Sequence, residues 1–232
     1  NFAIDERVCC YNLDNRSGYR PTRIKNICYE NNFYGSKEIE TALSNLENER
    51  ARVVHDVVEA SSLEPIKNNS QRLHHLDLFV SHTHSRTKAA RDESEELTQR
   101  IFQELVKTGV DSGDLTEEQL EMVKEGEIRL EGPSHKQRQL LSFYGPLHFS
   151  NLNRVLIYNN TSDDFITSDH PIVLDNPRFK NEISGGTIGY SAPGLQIYCP
   201  LSPSLCYFLY DPDVYEIEQN SKNQAFIHER KH

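Results

Sequence analysis

The chain has no long apolar run. Stretches such as Val155 to Tyr158 fall far short of the roughly 20 residues that cross a bilayer, so no membrane contact is expected. Positive charge is also scarce, with 25 Lys and Arg against 35 Asp and Glu and a formal net charge of −10. That deficit argues against a broad electrostatic grip on phosphate backbones but leaves room for a local basic patch. Cysteine is sparse and unpatterned: Cys9 and Cys10 are adjacent, Cys28, Cys199 and Cys206 are scattered, and no Cys-x-x-Cys occurs. An odd count of five fits a reduced cytoplasm better than a disulfide scaffold, so a cytoplasmic location is expected. There is no P-loop and no Gly-x-Ser-x-Gly elbow, and Gly185-Gly186 and Gly189 follow no strand-to-helix context. The chain opens at Asn1 without a methionine or a signal peptide, and its natural N-terminus is expected to lie upstream.

What remains describes a globular chain. At 232 residues, 36% hydrophobic and 26% charged, it can bury a real core, and we read it as a single domain. Residues 1–35 read as short strands and turns, with a strand from Val8 to Leu13. Residues 36–147 read as helical, and residues 148–232 as mostly strands with a C-terminal helix. Helices first and strands later predict an α+β fold, the helices packed on one face of a mostly antiparallel sheet.

Within the helical part, Ser36 is a plausible N-cap. Ile39, Leu43, Leu46, Val53, Val54 and Val57 then form one apolar stripe. Glu40 and Glu47 fall on its edge two turns apart, and Arg50 falls near its middle, three residues from Glu47 and able to pair with it. Such a cluster is either a structural ion-pair network or a site. Leu63 to Asn69 is a break. From Gln71 a helical pattern with Leu73, Leu76, Phe79, Val80 and Thr83 inward runs on to Gly109, with Arg86 placed to project from the end of its first part. Its histidines are spaced poorly for a metal, since His75 and His82 are about 10 Å apart along the axis. Thr116-Glu-Glu-Gln119 is a capping box that starts a helix, and Pro133 opens another through Leu140 and Tyr144.

The strand part contains Asp164-Phe-Ile-Thr-Ser-Asp-His-Pro-Ile-Val-Leu174. We read it as two strands joined by a polar turn that carries Ser168, Asp169 and His170. Asp169 is either a site carboxylate or the acceptor of an Asx-turn. At the end of the chain, His228-Glu-Arg-Lys-His232 matches His-Glu-x-x-His, which on a helix would present two zinc ligands and a general base. Arg230 and Lys231 at its centre and the absence of a downstream third ligand count against that reading.

The order of these landmarks resembles domain-of-unknown-function family 4238, a largely bacterial group. The resemblance runs through Asn1-Phe2, Asn32-Phe33-Tyr34, Ile39-Glu40, Leu46-Glu47, Arg86-Thr87, Phe165-Ile-Thr-Ser-Asp-His-Pro171 and Pro200-Leu-Ser-Pro203. Family members open with His-Tyr-Val-Pro, a motif that would precede Asn1. This chain has His170 where the family often has Asn, and Lys88 where it often has Pro. The resemblance implies that Glu40, Glu47, Arg86 and Asp169 are the polar positions of interest.

Chemically, two carboxylates on one helix face, an aspartate on a rigid turn and an arginine predict a metal-dependent phosphodiester hydrolase. Its expected setting is a nuclease effector in bacterial defence, with nucleic acid as partner and Mg²⁺ or Mn²⁺ as cofactor. Asp169 and Glu40 are the expected metal ligands or general base, Glu47 a ligand or orienting group, and Arg86 the anion stabiliser. His170 is the adjacent imidazole. The alternative is a non-catalytic binding or regulatory module, in which Glu47–Arg50 and Asp169–Arg86 are internal ion pairs locking helices to sheet.

Overall fold

The computed structural model describes residues 7–13, 15–24, 37–131, 140–180, 189–220 and 224–230, without the side chains of residues 19, 20, 37–40, 42 and 43. Strands β1 (Arg7–Asn12) and β2 (Ser17–Arg23) form an antiparallel hairpin. Helices α1 (Lys37–Ala60), α2 (Glu64–Lys67), α3 (Ser70–Ser85), α4 (Lys88–Asp111), α5 (Glu117–Lys124) and α6 (Gly145–His148) follow. The chain then enters β3 (Asn153–Tyr158), β4 (Val173–Asp175), β5 (Gln196–Ser202), β6 (Leu205–Tyr210), β7 (Tyr215–Gln219) and β8 (Ala225–Glu229). The predicted α+β class is what forms.

The main sheet is antiparallel, in the order β3-β6-β5-β4. Period-two alternation sorts its side chains onto two faces. Ile197, Cys199 and Leu201 of β5 and Leu205, Tyr207 and Leu209 of β6 join Val53 and Val57 of α1 and Leu76 and Val80 of α3 in the principal core. Each such aliphatic side chain, fully buried, contributes about 1.5–3 kcal/mol. On the opposite face Phe208 and Tyr210 pack with Val214 and Tyr215, against the β7–β8 hairpin. The sheet therefore lies between helices and a hairpin.

One polar lock joins helix to sheet. Arg154 on β3 donates from Nη2 (2.7 Å) and Nε (3.2 Å) to Oδ2 of Asp77 on α3, and the Tyr207 hydroxyl donates to Asp77 Oδ1 (3.0 Å). Arg154 also donates to the carbonyls of Leu152 and Phe149. Glu47–Arg50 and Asp169–Arg86, the pairs expected to do this in the binding-module reading, are not formed.

The helical run from Gln71 to Gly109 is two helices. Arg86 is the C-cap of α3, and Thr87, in extended conformation, is the N-cap of α4, its hydroxyl accepting from Ala90 N (3.2 Å). At the start of α3, Asn69 caps through Arg72 N (3.0 Å). The break between α1 and α3 holds the one-turn α2. The capping box at Thr116 forms in both directions. α4 and α5 share a small core of Val106, Leu120 and Val123.

Two expected elements are corrected. Asp164 to Thr167 is not a strand: Phe165 N donates once, to Pro203 O (2.8 Å), and no ladder follows, so pairing starts only at Val173. The C-terminal helix is instead β8, because Phe226 and Ile227 favour a pleated surface and Ile217 lies opposite Ile227 in an antiparallel register. Ser36, Pro133 and His232 lie outside the described residues.

Candidate functional site

The α3–α4 junction gathers most of the polar side chains singled out by sequence. Arg86, at the end of α3, pairs with Glu47 of α1 through Nη1 and Oε1. Both are half-exposed, at 34% and 42%. Behind them Arg50 is 2% exposed, in the middle of the apolar stripe where its spacing from Val53 and Val57 put it. Its Nη1 donates to His82 Nδ1 (2.8 Å), and its guanidinium lies 5.6 Å from the centre of the Phe143 ring. The Arg50 Nε and Nη2 and the His82 Nε2 are buried without a hydrogen-bond partner.

The electrostatics follow from that arrangement. Burial pushes the Arg50 guanidinium down from its ordinary value; Glu47 opposes the shift and Arg86 adds to it. Arginine does not surrender its proton in proteins, so Arg50 remains a buried cation. His82 must accept at Nδ1 and is therefore the Nε2–H tautomer. Burial, with Arg50 and Arg86 adding to it, pushes His82 down to about 3, so it stays neutral. The group thus carries two guanidiniums and one carboxylate.

Thr87 connects this group to the Ser-Asp-His-Pro turn. Its Oγ1 lies 2.6 Å from His170 Nδ1 and 3.1 Å from the His84 carbonyl. A hydroxyl has one proton, so when Thr87 gives it to that carbonyl, His170 Nδ1–H donates. His84 and His170 have ring centres 5.0 Å apart. Burial, with His170 adding to it, pushes His84 down to about 4. Burial also pushes the Tyr190 hydroxyl up, so Tyr190 keeps its proton and donates to His84 Nδ1 (3.0 Å).

The structure pairs Glu47 with Arg86 and sets His170 against Thr87, the next residue in the chain. It does not bring in Asp169, which is exposed and makes no hydrogen bond or ion pair among the described residues. Nor does Asp169 form the Asx-turn: Ser168 Oγ accepts from His170 N (3.1 Å) and donates to His170 O (2.9 Å). Glu40 sits in the first turn of α1, its side chain outside the described set. Glu47 is committed to Arg86 rather than to Arg50. Among the described residues, no group of three or more His, Cys, Asp or Glu could hold a metal ion. The described donors therefore do not fit a Mg²⁺ or Mn²⁺ site, and two nearby guanidiniums would repel one. His228 and Glu229 lie on adjacent positions of β8, which point to opposite faces, so the zinc-helix reading fails locally.

Sequence reasoning missed His82, His84, Thr87 and Tyr190 as members of this group. Thr87 carried a signal in its Ser/Thr cap position after Arg86. Tyr190, in a glycine-rich segment, carried none.

Among the described residues, no helix is long and apolar enough to cross a membrane. Cys9, Cys10, Cys199 and Cys206 are free thiols. Comparison with curated proteins and with solved structures finds no match. The model of one family matches residues 1–232, and the chain belongs to that family, described as Protein of unknown function (DUF4238).

Proposed function

We propose that this protein hydrolyses phosphodiester bonds, holding the phosphate at the Arg50–Arg86 group with His170 as the acid or base. The observation that carries this reading is Arg50: a buried cation with two unpartnered nitrogens, beside a second arginine and a single carboxylate. An uncompensated buried charge costs several kcal/mol, on the order of 3–5 in mutational terms, and an arriving oxyanion would relieve that cost. Guanidinium is the side chain best matched to phosphate oxygens, and charge placed where the transition state gains charge is the largest catalytic effect enzymes use. His170, hydrogen-bonded to Thr87 and half-exposed, can exchange a proton with bound substrate.

The reading assigns no step to a metal ion. Nucleic acid is the partner put forward, and a nuclease effector in bacterial defence is its narrowest form. With a net charge of −10, the protein would engage a short segment or a chain end rather than a long duplex.

A second reading, a non-catalytic module, is favoured by the Glu47–Arg86 pair, which ties α1 to the α3–α4 junction as an internal contact. One assay separates the two. The protein, Arg86→Ala and His170→Ala are incubated with single-stranded DNA, single-stranded RNA and bis-nitrophenyl phosphate, each with Mn²⁺, Mg²⁺ or chelator. Hydrolysis by the wild type, lost in Arg86→Ala and reduced on the order of 10²–10⁴-fold in His170→Ala, is the expected result. No cleavage in any condition, with inorganic phosphate leaving Tm unchanged, would leave the module reading standing.

A further inference from the structure

Beside the arginine group lies a cavity of about 460 Å³, between the end of α3, the first turn of α4, α6 and the edge strand β4. Its size is within the range of about 300–1,000 Å³ that holds small organic ligands. Leu141, Leu174 and Ala90 supply apolar wall, Tyr144 and Tyr190 supply aromatic surface, and His84 supplies a polar edge. No Asp, Glu, Lys or Arg lines it among the described residues. His84, held neutral, brings no charge either. With Nδ1 taken by Tyr190, its Nε2 carries the proton and is the nitrogen left to donate.

A moiety that fits this cavity is uncharged, flat enough to lie on tyrosine rings, and bears at least one acceptor. What adjoins it is equally specific. Ser85 lines the cavity, and the next two residues in the chain are Arg86 and Thr87. A compartment whose described lining has no carboxylate, ammonium or guanidinium, and whose polar groups include His84 and His148, therefore ends at Ser85, the residue before Arg86 in the chain. Of biological phosphodiesters, those built of nucleotides have this division: a neutral heteroaromatic base joined through a sugar to an anionic phosphate. Aromatic stacking is how proteins hold single bases without a duplex.

We propose that the cavity receives one nucleobase, so that the substrate is a nucleotide or the end of a single strand, with its base between Tyr144 and Tyr190 and its phosphate at Arg86. The choice of a nucleobase, like the placement of the phosphate, rests on the function proposed above; the size and lining of the cavity do not. One other feature carries no site. The exposed Leu97, Ile101 and Leu105 of α4 form an apolar stripe with nothing to identify what covers it. His148, whose Nδ1 lies 2.7 Å from the Ser191 hydroxyl, belongs to the wall of the cavity itself.

The test uses the wild type, Ala90→Phe and Arg86→Ala, with adenosine, guanosine, cytidine and uridine as base probes and inorganic phosphate as the anion probe. Binding is read by calorimetry and by the shift in Tm. Ala90 is partly exposed on a helix, so the larger side chain enters the cavity without touching the main core. Far-UV circular dichroism checks that each variant is folded. At least one nucleoside binds the wild type and is weakened tenfold or more in Ala90→Phe, while phosphate binding is unchanged in that variant. Arg86→Ala gives the converse. If no nucleoside binds the wild type, or Ala90→Phe binds as well, the cavity proposal is overturned, whether or not phosphate binds. If toluene raises Tm as much as the best nucleoside, the cavity is a general apolar hole and the proposal also falls. If a nucleoside binds but phosphate does not, the base site stands and the phosphodiesterase reading is what fails.

Discussion

Arg50 and Asp77 are both buried and charged, yet they differ in what surrounds them. Arg154 and Tyr207 both donate to Asp77, whereas Arg50 makes its hydrogen bond to a neutral imidazole and lies against an aromatic ring. The two should therefore respond oppositely to removal. Asp77→Ala strands Arg154 and is expected to cost about 3–5 kcal/mol in urea unfolding. Arg50→Met removes a charge that folding does not compensate, and is expected to be neutral or to stabilise by up to about 1–4 kcal/mol. A loss from Arg50→Met equal to that from Asp77→Ala would mean that Arg50 is structural. The position of Arg50 was legible, because residues 50, 53 and 57 share one helix face. Its partner was not: His82 lies 32 positions away, and periodicity records which face a residue takes but not what faces it. Ser168 and Asp169 show a different limit. Both residue types close turns, and only the path of the backbone decides which oxygen reaches the amide.

At the scale of the element, the junction between α3 and α4 depends on Thr87, whose Oγ1 caps α4 and meets His170 at once. Thr87→Ala should cost about 1 kcal/mol through the lost cap. It should also detach the Ser-Asp-His-Pro turn, visible as displaced His170 ring resonances by NMR. Thr87→Ser retains the hydroxyl and should restore both; unmoved His170 ring resonances in Thr87→Ala would show the contact to be idle. The capping box at Thr116 was readable because its two partners are three residues apart. The split at Arg86–Thr87 was harder, since apolar residues on both sides keep helical spacing across it. β8 stands where a C-terminal helix was expected, because strand pairing with β7 is a contact that no local pattern announces.

For the whole molecule, the histidines of α3 set a pH dependence: burial lowers His75, and lowers His82 and His84 furthest. His82 and His84 are neutral in the fold, at about 3 and about 4, and take up protons once unfolded below their ordinary value of about 6.5. Between those limits the unfolded chain binds more protons. Stability is therefore fully present above pH about 6.5 and falls as pH falls, by up to about 1.4 kcal/mol per pH unit for each histidine. His82→Gln should reduce that slope between pH 7 and 5 by the His82 contribution, measured by urea unfolding. An unchanged slope would mean that His82 is protonated in the fold. Low pH should thus loosen the helical layer first, since both histidines lie on α3, which packs on the sheet.

The placement of Arg86 next to Thr87 has a mechanical consequence. One residue holds the pair with Glu47, and its neighbour anchors a helix of 24 residues, about 36 Å long. α5 is fastened to α4 by Val106, Leu120 and Val123, so any tilt of α4 would carry α5 with it. A tilt of about 5° at the anchored end would carry the free end through about 3 Å, since displacement scales with helix length. Spin labels at Glu59 and Glu118, both exposed, would register such a swing when inorganic phosphate is added. A distance that does not change would make α4 a fixed strut, and a shift of a few ångströms would make it the hand of a gauge whose pivot is the Glu47–Arg86 contact.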